Sequence, residues 1–318
     1  MARKQRSSSS SLGLFVLVCT VLVCFSSVVQ PALVPGKWFD RIIIFVFENT
    51  AYTAATADTN FQFFAAQGVS FTQYAGVTHP SQPNYIAMTS GNTFTTNDSN
   101  INLNVSNIAD LLDAKGVSWR VYAEDFPGNC NTSANVGNYY RKHNPLISYD
   151  NIHNSNTRCA NIYNANQLDT DLSTPSTLPQ YMFFVPNILD DGHNTNVSYA
   201  GNWIRNYLKT RQAQFPSRTL FYFTWDEDDN TPANHIATII FGAPSGNLTR
   251  VGATDGGSYN HYSQLRLVED NWSLGNLGRS DATATPISVV NFNIGTTTSS
   301  SSSPASSLRG SSFLSYLF

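Results

Sequence analysis

The segment from Arg41 to Thr50 constrains the fold more than any other part of the chain. It is an unbroken apolar run, Ile-Ile-Ile-Phe-Val-Phe, that stops abruptly at Glu48 and Asn49. A run of this length that is rich in β-branched residues is typical of a strand buried on both faces. In open α/β sheets, ligands bind just beyond the carboxyl ends of such strands. Glu48 and Asn49 are therefore either ligand-binding residues or exposed loop residues.

The same pattern occurs again further along the chain. An apolar run at 181–185 leads to Asp191 and His193, and another at 219–225 leads to four consecutive carboxylates that begin at Asp226. Adjacent carboxylates repel one another unless a cation or solvent screens them. The acidic run is therefore either a solvated turn or a cation site, and its position after a predicted buried strand favours cation binding for Asp226 and Glu227.

Strand-like and helix-like patterns alternate along the chain. We predict strands at 41–47, 118–123, 180–186, 219–225 and 235–242. We predict helices near 58–67, 81–90, 106–115, 197–209 and 261–270. A loop-rich insert occupies about 125–178. This alternation predicts an α/β fold with a doubly wound, mostly parallel sheet and helices on both faces.

The two ends of the chain differ from its centre. Arg3, Lys4 and Arg6 precede a nearly continuous apolar stretch from Leu12 to Val29, which predicts that residues 1–36 are a signal peptide or a retained signal anchor. Residues 37–292 are the predicted catalytic domain, and residues 293–318 are a Ser/Thr-rich tail of the kind that is typically disordered. We therefore expect a secreted or cell-surface protein, with membrane attachment only if the anchor is retained.

Cysteines and glycosylation sequons agree with secretion. Cys19 and Cys24 lie in the targeting segment, which leaves Cys130 and Cys159 as a predicted disulfide, with two free thiols as the alternative. Predicted N-glycosylation sites are Asn97, Asn104, Asn131, Asn196, Asn247 and Asn271. Charged residues make up 12% of the chain and its formal net charge is −3, without a basic stripe. Nucleic acid is therefore not an expected partner. The oligomeric state stays open.

Ser81 is the candidate nucleophile. It follows His79-Pro80 and begins a helix-like stretch, where a serine is commonly only the helix cap. The amides of a helix N-terminus also favour a phosphoryl group, although a serine there needs activation by a base or a metal. His79 is either a residue that supports the site or a structural loop histidine. His143, which follows Arg141 and Lys142, either lines a substrate entrance or is solvated.

Several carboxylates and imidazoles could hold a metal ion. The predicted ligands are Glu48, Asp191, His193, Asp226, Glu227 and His261. This mixture of nitrogen and oxygen donors suits zinc first and manganese or iron next, whereas magnesium or calcium prefers more oxygen. We expect zinc, with iron, manganese, magnesium and calcium as alternatives.

Five short motifs in this order resemble the phosphoesterase family. They are Phe47-Glu48-Asn49-Thr50, Thr78-His79-Pro80-Ser81-Gln82-Pro83-Asn84-Tyr85, Pro186-Asn187…Asp190-Asp191-Gly192-His193, Trp225-Asp226-Glu227 and Asn260-His261-Tyr262-Ser263. That family contains secreted acid phosphatases and non-specific phospholipases C, within the alkaline-phosphatase-like superfamily. The resemblance spans about residues 38–275. It implies that Ser81 attacks the substrate, that Asn49 orients the phosphoryl group, and that the carboxylates and histidines form the metal site.

The resemblance also has departures. Relatives with two zinc ions commonly have Asp where this chain has Glu48, and an Asp-His pair where it has Asp226-Glu227. The number and identity of metal ions therefore stay open. The function expected from the sequence is a secreted acid phosphatase that hydrolyses small phosphate esters through a phosphoseryl intermediate. The alternatives are a phospholipase C or other phosphodiesterase, and a non-catalytic glycosylated binding protein on the same fold.

Overall fold

A computed structural model describes residues 1, 32–246 and 251–288 of the chain. The predicted targeting segment lies almost entirely outside the described residues, as do the Ser/Thr-rich tail and the sequon at Asn247. Within the described part of the chain, none of the helices has an apolar stretch long enough to cross a bilayer.

The strands and helices are numbered in chain order. The strands are β1 (Arg41–Phe47), β2 (Gly68–Phe71), β3 (Tyr74–Ala75), β4 (Trp119–Ala123), β5 (Asn135–Val136), β6 (Tyr139–Tyr140), β7 (Ile162–Asn164), β8 (Tyr181–Val185), β9 (Thr219–Trp225), β10 (Thr238–Gly242), β11 (Ala253–Asp255) and β12 (Tyr259–Asn260). The helices are α1 (Tyr52–Ala57), α2 (Thr59–Ala65), α3 (Ser81–Ser90), α4 (Ile108–Lys115), α5 (Asp150–His153), α6 (Asn156–Cys159), α7 (Gln167–Ser173), α8 (Val197–Lys209), α9 (His261–Trp272) and α10 (Ser280–Thr283).

An eight-stranded sheet with the order β11-β2-β10-β9-β1-β8-β4-β7 forms the centre of the described domain. β1 is parallel to β8 and β9, and β4 is parallel to β7 and β8. β10 runs antiparallel to both of its neighbours, β2 and β9. The predicted α/β class and the mostly parallel sheet are confirmed.

The first strand is central because its residues can be buried on both faces. Every residue from Ile42 to Phe47 is fully buried. Aromatic rings continue the packing beside it, since Phe45 stacks on Phe184 with ring centroids 4.7 Å apart and Phe47 packs edge-on against Phe61 at 4.9 Å. Such aromatic pairs add directional attraction to the free energy of apolar burial. This core holds the end of β1, and therefore Glu48, in a fixed position.

The insert is more ordered than its sequence indicated. The predicted loop-rich region at 125–178 contains α5, α6 and α7, and it contributes β7 to one edge of the large sheet. The predicted Cys130–Cys159 disulfide is present, with the two Cα atoms 5.8 Å apart. A strand of three residues is too short for a recognisable periodic pattern, which is why the sequence did not indicate β7.

The sequons differ in accessibility. Asn97, Asn104 and Asn196 are exposed and Asn131 is half-buried. Asn271 is buried, its Oδ1 accepts hydrogen bonds from the backbone N–H groups of Trp38 and Phe39, and its Nδ2 donates to Phe39 O at 2.9 Å. A glycan on that nitrogen is incompatible with this fold, so the prediction for Asn271 is wrong. The sequon pattern carries no information on burial.

A buried pair of acidic side chains predicts how stability changes with pH. Glu269 is 2% exposed and lies near the buried Asp281. Burial, reinforced by Asp281, raises the pKa of Glu269 to about 9. The folded chain thus keeps a proton that the unfolded chain releases above about pH 4.3, so the free energy of unfolding should fall as pH rises through this window.

We predict that Glu269→Gln removes much of this pH dependence and makes the protein more stable at pH 8 than the unaltered chain. Thermal unfolding from pH 4 to 9 measures the effect. Asp229→Asn, which neutralises an exposed carboxylate in the loop after β9, is the control. An unchanged slope in Glu269→Gln would show that Glu269 is ionised in the folded protein.

Candidate active site

The carboxyl ends of three neighbouring strands bring the central acidic residues together. Glu48 follows β1, Asp191 lies beyond β8, and Asp226 follows β9, and these strands are adjacent in the order β9-β1-β8. Backbone hydrogen bonds join the strand ends, because Glu48 N donates to Asp191 O at 3.0 Å and Asp226 N donates to Phe47 O at 3.0 Å. The three carboxylates are at most 1% exposed.

Ser81 is the first residue of α3 and lies against two of the carboxylates. Its Oγ is 3.0 Å from Glu48 Oε2 and 3.0 Å from Glu227 Oε1, and the residue is 1% exposed. A hydroxyl carries one proton and can donate to only one of these acceptors at a time. Ser81 therefore stands between two bases at a helix N-terminus, and neither of these hydrogen bonds caps the helix.

Asn84 holds the loop that leads to Ser81. Its Oδ1 accepts hydrogen bonds from Val77 N at 2.9 Å and Thr78 N at 3.0 Å. Its Nδ2 donates to Thr78 O at 2.7 Å. The asparagine three residues after Ser81 thus folds back and fixes the approach to the helix. This contact gives a physical reason for the Pro-Asn pair in the motif.

His79 supports Glu227. Its Nδ1 contacts Glu227 Oε2, and its Nε2 donates to Thr231 O at 3.0 Å. Burial opposes protonation of His79, but the hydrogen bond to Thr231 O and the contact with Glu227 outweigh it and raise the pKa of His79. His79 therefore does not reach Ser81 itself but holds in place one of the carboxylates that Ser81 contacts.

His143 is a site residue that the sequence analysis did not assign. It is 1% exposed, with Nε2 3.2 Å from Glu48 Oε1 and Nδ1 3.2 Å from Asp191 Oδ2. Its ring stacks on Tyr85, whose hydroxyl donates to Glu48 Oε1. Both earlier interpretations, a substrate entrance and a solvated loop, are wrong. The two cations before His143 suggested solvent, whereas tertiary packing of the insert buries the imidazole.

The two other predicted histidine ligands occupy different places. His261 is fully buried, and its Nε2 donates to Asp226 O at 2.6 Å. Its Nδ1 must then carry the lone pair, and burial lowers the pKa of His261 to about 4. His193 is half-buried at the rim, with its Nδ1 2.8 Å from Asn194 Oδ1 and its ring 5.9 Å from that of His143.

Asn49 lies at the mouth of the site. It is exposed and adopts a positive φ of 40°, a region that asparagine enters more readily than most residues. Its backbone N–H approaches Asp226 Oδ1 at 3.4 Å. The residue is therefore solvent-accessible while its backbone lies beside Asp226.

The buried carboxylates need a compensating positive charge. Burial raises the pKa of Glu48, Asp191 and Asp226, and their mutual repulsion raises it further. Within the described residues, several buried atoms at this site make no hydrogen bond of suitable geometry, although two of them lie 3.2 Å from a polar atom of a neighbouring side chain; they are Asp191 Oδ2, Asp226 Oδ2, His143 Nε2 and His261 Nδ1. Unpaired buried acceptors and charges are costly unless a cation or donor satisfies them.

A metal ion fits this requirement. Ligand atoms of Glu48, His143 and Asp191 all lie within 4.8 Å of one another. Carboxylate oxygens with an imidazole nitrogen form a donor set that divalent ions accept. This buried group could therefore bind a metal ion, with His143 in addition to the predicted Glu48 and Asp191.

The region that contains this site is similar to known proteins. The model of the phosphoesterase family matches residues 48–275, which include Glu48, Ser81, His143, Asp191, Asp226 and the other side chains of this site. The chain belongs to the phosphoesterase family. Among similar proteins, a probable acid phosphatase of Kluyveromyces lactis is 39% identical over 81% of this chain, and an acid phosphatase of Aspergillus fumigatus is 36% identical over 81%.

These fungal phosphoesterases are longer than the matched region. The alignments cover 64% and 60% of their lengths. A phosphatidylinositol-3-phosphatase of Mycobacterium tuberculosis is 29% identical over 76% of this chain and 79% of its own. A solved structure of an alkaline phosphatase superfamily protein from Vibrio parahaemolyticus covers 81% of this chain and 72% of its own, with a TM-score of 0.54 and 12% identity, which supports the fold.

We predict that His143→Ala weakens binding of a divalent ion by about tenfold or more, because it removes a buried donor between two carboxylates. Calorimetric titration of the chelator-treated protein with Zn²⁺ or Mn²⁺ measures the change. His153→Ala is the control, since His153 Nδ1 contacts only Ile147 O and its Nε2 faces Asp150. Equal affinity in both variants would exclude His143 from the metal site.

Proposed function

We propose that this phosphoesterase is a secreted, metal-dependent acid phosphatase that hydrolyses phosphate monoesters through a phosphoseryl intermediate. The observation that carries the proposal is Ser81, whose Oγ lies at the N-terminus of α3 and 3.0 Å from both Glu48 Oε2 and Glu227 Oε1. The helix terminus favours an incoming phosphoryl group, and the two carboxylates are bases within reach of the hydroxyl proton.

The chain's own residues account for both displacement steps. Ser81 Oγ attacks phosphorus as its proton passes to Glu227, and the bond from phosphorus to the leaving oxygen breaks. His79 keeps Glu227 oriented through its Nδ1 contact. Glu227 then releases the Ser81 proton to solvent. In the second step a water gives a proton to Glu227 and attacks the phosphoserine, the bond between Ser81 Oγ and phosphorus breaks to release phosphate, and Glu227 returns the proton to Ser81 Oγ.

The remaining residues of the site bind and orient. A divalent ion, when bound by Glu48, Asp191, His143, Asp226 or Glu227, would offset negative charge on the phosphoryl oxygens and favour the deprotonated serine. Zinc is our first assignment for this mixed donor set, with manganese or iron next. In this proposal His193, which is half-buried near His143, gives a proton to the leaving oxygen, and the exposed Asn49 donates its side-chain amide to a phosphoryl oxygen.

The names of similar proteins favour monoesters as the substrate class. The named family members cited above are acid phosphatases and a phosphatidylinositol-3-phosphatase. All of those names describe removal of a terminal phosphate.

Secretion is supported by the disulfide between Cys130 and Cys159, which needs an oxidising compartment to persist.

We predict rapid hydrolysis of p-nitrophenyl phosphate by residues 37–318 at acidic pH, with little hydrolysis of bis-p-nitrophenyl phosphate. Ser81→Ala should lower kcat by about a thousandfold or more, since removal of a catalytic nucleophile commonly costs this much or more. Chelation should also abolish turnover, and added metal should restore it. Initial rates from pH 4 to 9 measure all three effects.

Ser90→Ala is the matched control, because Ser90 lies at the other end of α3, where its hydroxyl donates to Ile86 O and Asn92 O. Preference for the diester would indicate a phosphodiesterase of the phospholipase C type. Unchanged turnover in Ser81→Ala would contradict the phosphoseryl mechanism. Phosphate binding without turnover of either ester would indicate a binding protein.

A further inference from the structure

Asp98 links the nucleophile helix to a lysine at the edge of the site. Its Oδ1 accepts a hydrogen bond from the backbone N–H of Gln82 at 2.8 Å, and its Oδ2 accepts one from Lys142 Nζ at 2.7 Å. Gln82 follows Ser81 directly, and Lys142 precedes His143. The Asp98 carboxylate therefore accepts hydrogen bonds from a backbone amide at the N-terminus of α3 and from the ammonium group of Lys142.

Lys142 directly precedes His143, whose ring contacts Glu48 and Asp191. Its side chain is 14% exposed, so the ammonium group is largely enclosed. Burial raises the pKa of Glu48 and Asp191, and the charge of Lys142 acts in the opposite direction on both. The preceding cation, Arg141, is directed elsewhere, since its guanidinium donates to Thr132 O and Ile101 O. Lys142 thus adds a permanent positive charge to the site.

The donors that Asp98 holds are of the kind that bind phosphate. Backbone amides at a helix N-terminus and lysine ammonium groups are common phosphoryl ligands. Asp98 is 27% exposed and lies in the connection between α3 and α4, so solvent and small ions reach it. A carboxylate in this position is an internal competitor for a phosphoryl group that arrives at Ser81.

We propose that Lys142 is a substrate-binding residue that exchanges Asp98 for a phosphoryl oxygen, and that Asp98 positions Lys142 until substrate arrives. This inference rests on the proposed function, because it needs a phosphate ester at Ser81. It assigns to the chain a second, non-metal cation for the phosphoryl group. It also makes Asp98 a residue that sets how tightly phosphate is held and released.

The alternative is that the pair only ties the connection between α3 and α4 to the insert. The two roles predict different effects of the same substitutions on phosphate affinity. As a competitor, Asp98 weakens phosphate binding, so its neutralisation should tighten binding while loss of Lys142 weakens it. If the pair only connects the two segments, neutralising Asp98 or removing Lys142 should disturb the geometry of the site, and each substitution should weaken phosphate binding.

The experiment measures the Kd of inorganic phosphate by calorimetry, together with kcat and KM for p-nitrophenyl phosphate, in the metal-loaded protein. We expect Lys142→Met to raise Kd and KM by about ten- to a hundredfold, the effect of losing a charged hydrogen bond. Asp98→Asn should lower Kd severalfold, and the double variant should behave like Lys142→Met. Lys142→Arg should retain most of the affinity.

Asp169→Asn is the matched control, because it breaks the exposed ion pair with Arg211, at 2.6 Å, outside the site. Thermal unfolding of every variant reports on folding, and if Lys142→Met does not fold, tighter binding by Asp98→Asn alone supports the inference. Weaker binding by Asp98→Asn, or unchanged Kd in Lys142→Met, overturns it. If the Kd of phosphate changes in the variants as expected but no ester is hydrolysed, the inference stands and the acid phosphatase proposal is contradicted. If esters are hydrolysed but the Kd of phosphate is the same in all variants, the acid phosphatase proposal stands and the inference is contradicted.

Discussion

The enclosure of three carboxylates at the ends of neighbouring strands is the constraint on which the rest of the site depends. Glu48, Asp191 and Asp226 are at most 1% exposed, and buried negative charges so close together are unstable without positive partners. The apolar core around β1 fixes their positions, and the favourable free energy of its extensive apolar burial offsets the electrostatic cost of the carboxylates. A cation bound there would turn an unfavourable arrangement into a preorganised phosphoryl site.

Neighbouring side chains hydrogen-bond to the residues that carry this negative charge. Tyr85 donates to Glu48, His261 donates to the backbone oxygen of Asp226, and His79 orients Glu227. These contacts leave Ser81 between two acceptors while they fix the carboxylates that surround it. Asp98 and Lys142 extend the same pattern to the edge of the site, where a carboxylate pairs with an ammonium group that a substrate could reach.

The sequence was most informative where one physical requirement dominates. Burial on both faces makes β1, β8 and β9 continuous apolar runs, and their polar ends marked Glu48, Asp191 and Asp226 correctly as neighbours. His143 was missed because its contacts come from an insert folding back over the sheet, about a hundred residues from Glu48 in the chain. Burial of Asn271 and the short edge strand β7 were likewise set by tertiary packing, which local pattern does not report.

The central proposal is that this buried carboxylate group binds a divalent cation beside Ser81, the proposed nucleophile. Crystallographic anomalous scattering from the purified protein, collected above and below the absorption edge of each candidate metal, tests it most directly. We expect an anomalous peak bonded to Glu48 and to at least one of Asp191, His143, Asp226 or Glu227. A well-ordered site with no peak among these side chains, in protein that turns over phosphate esters, would contradict it.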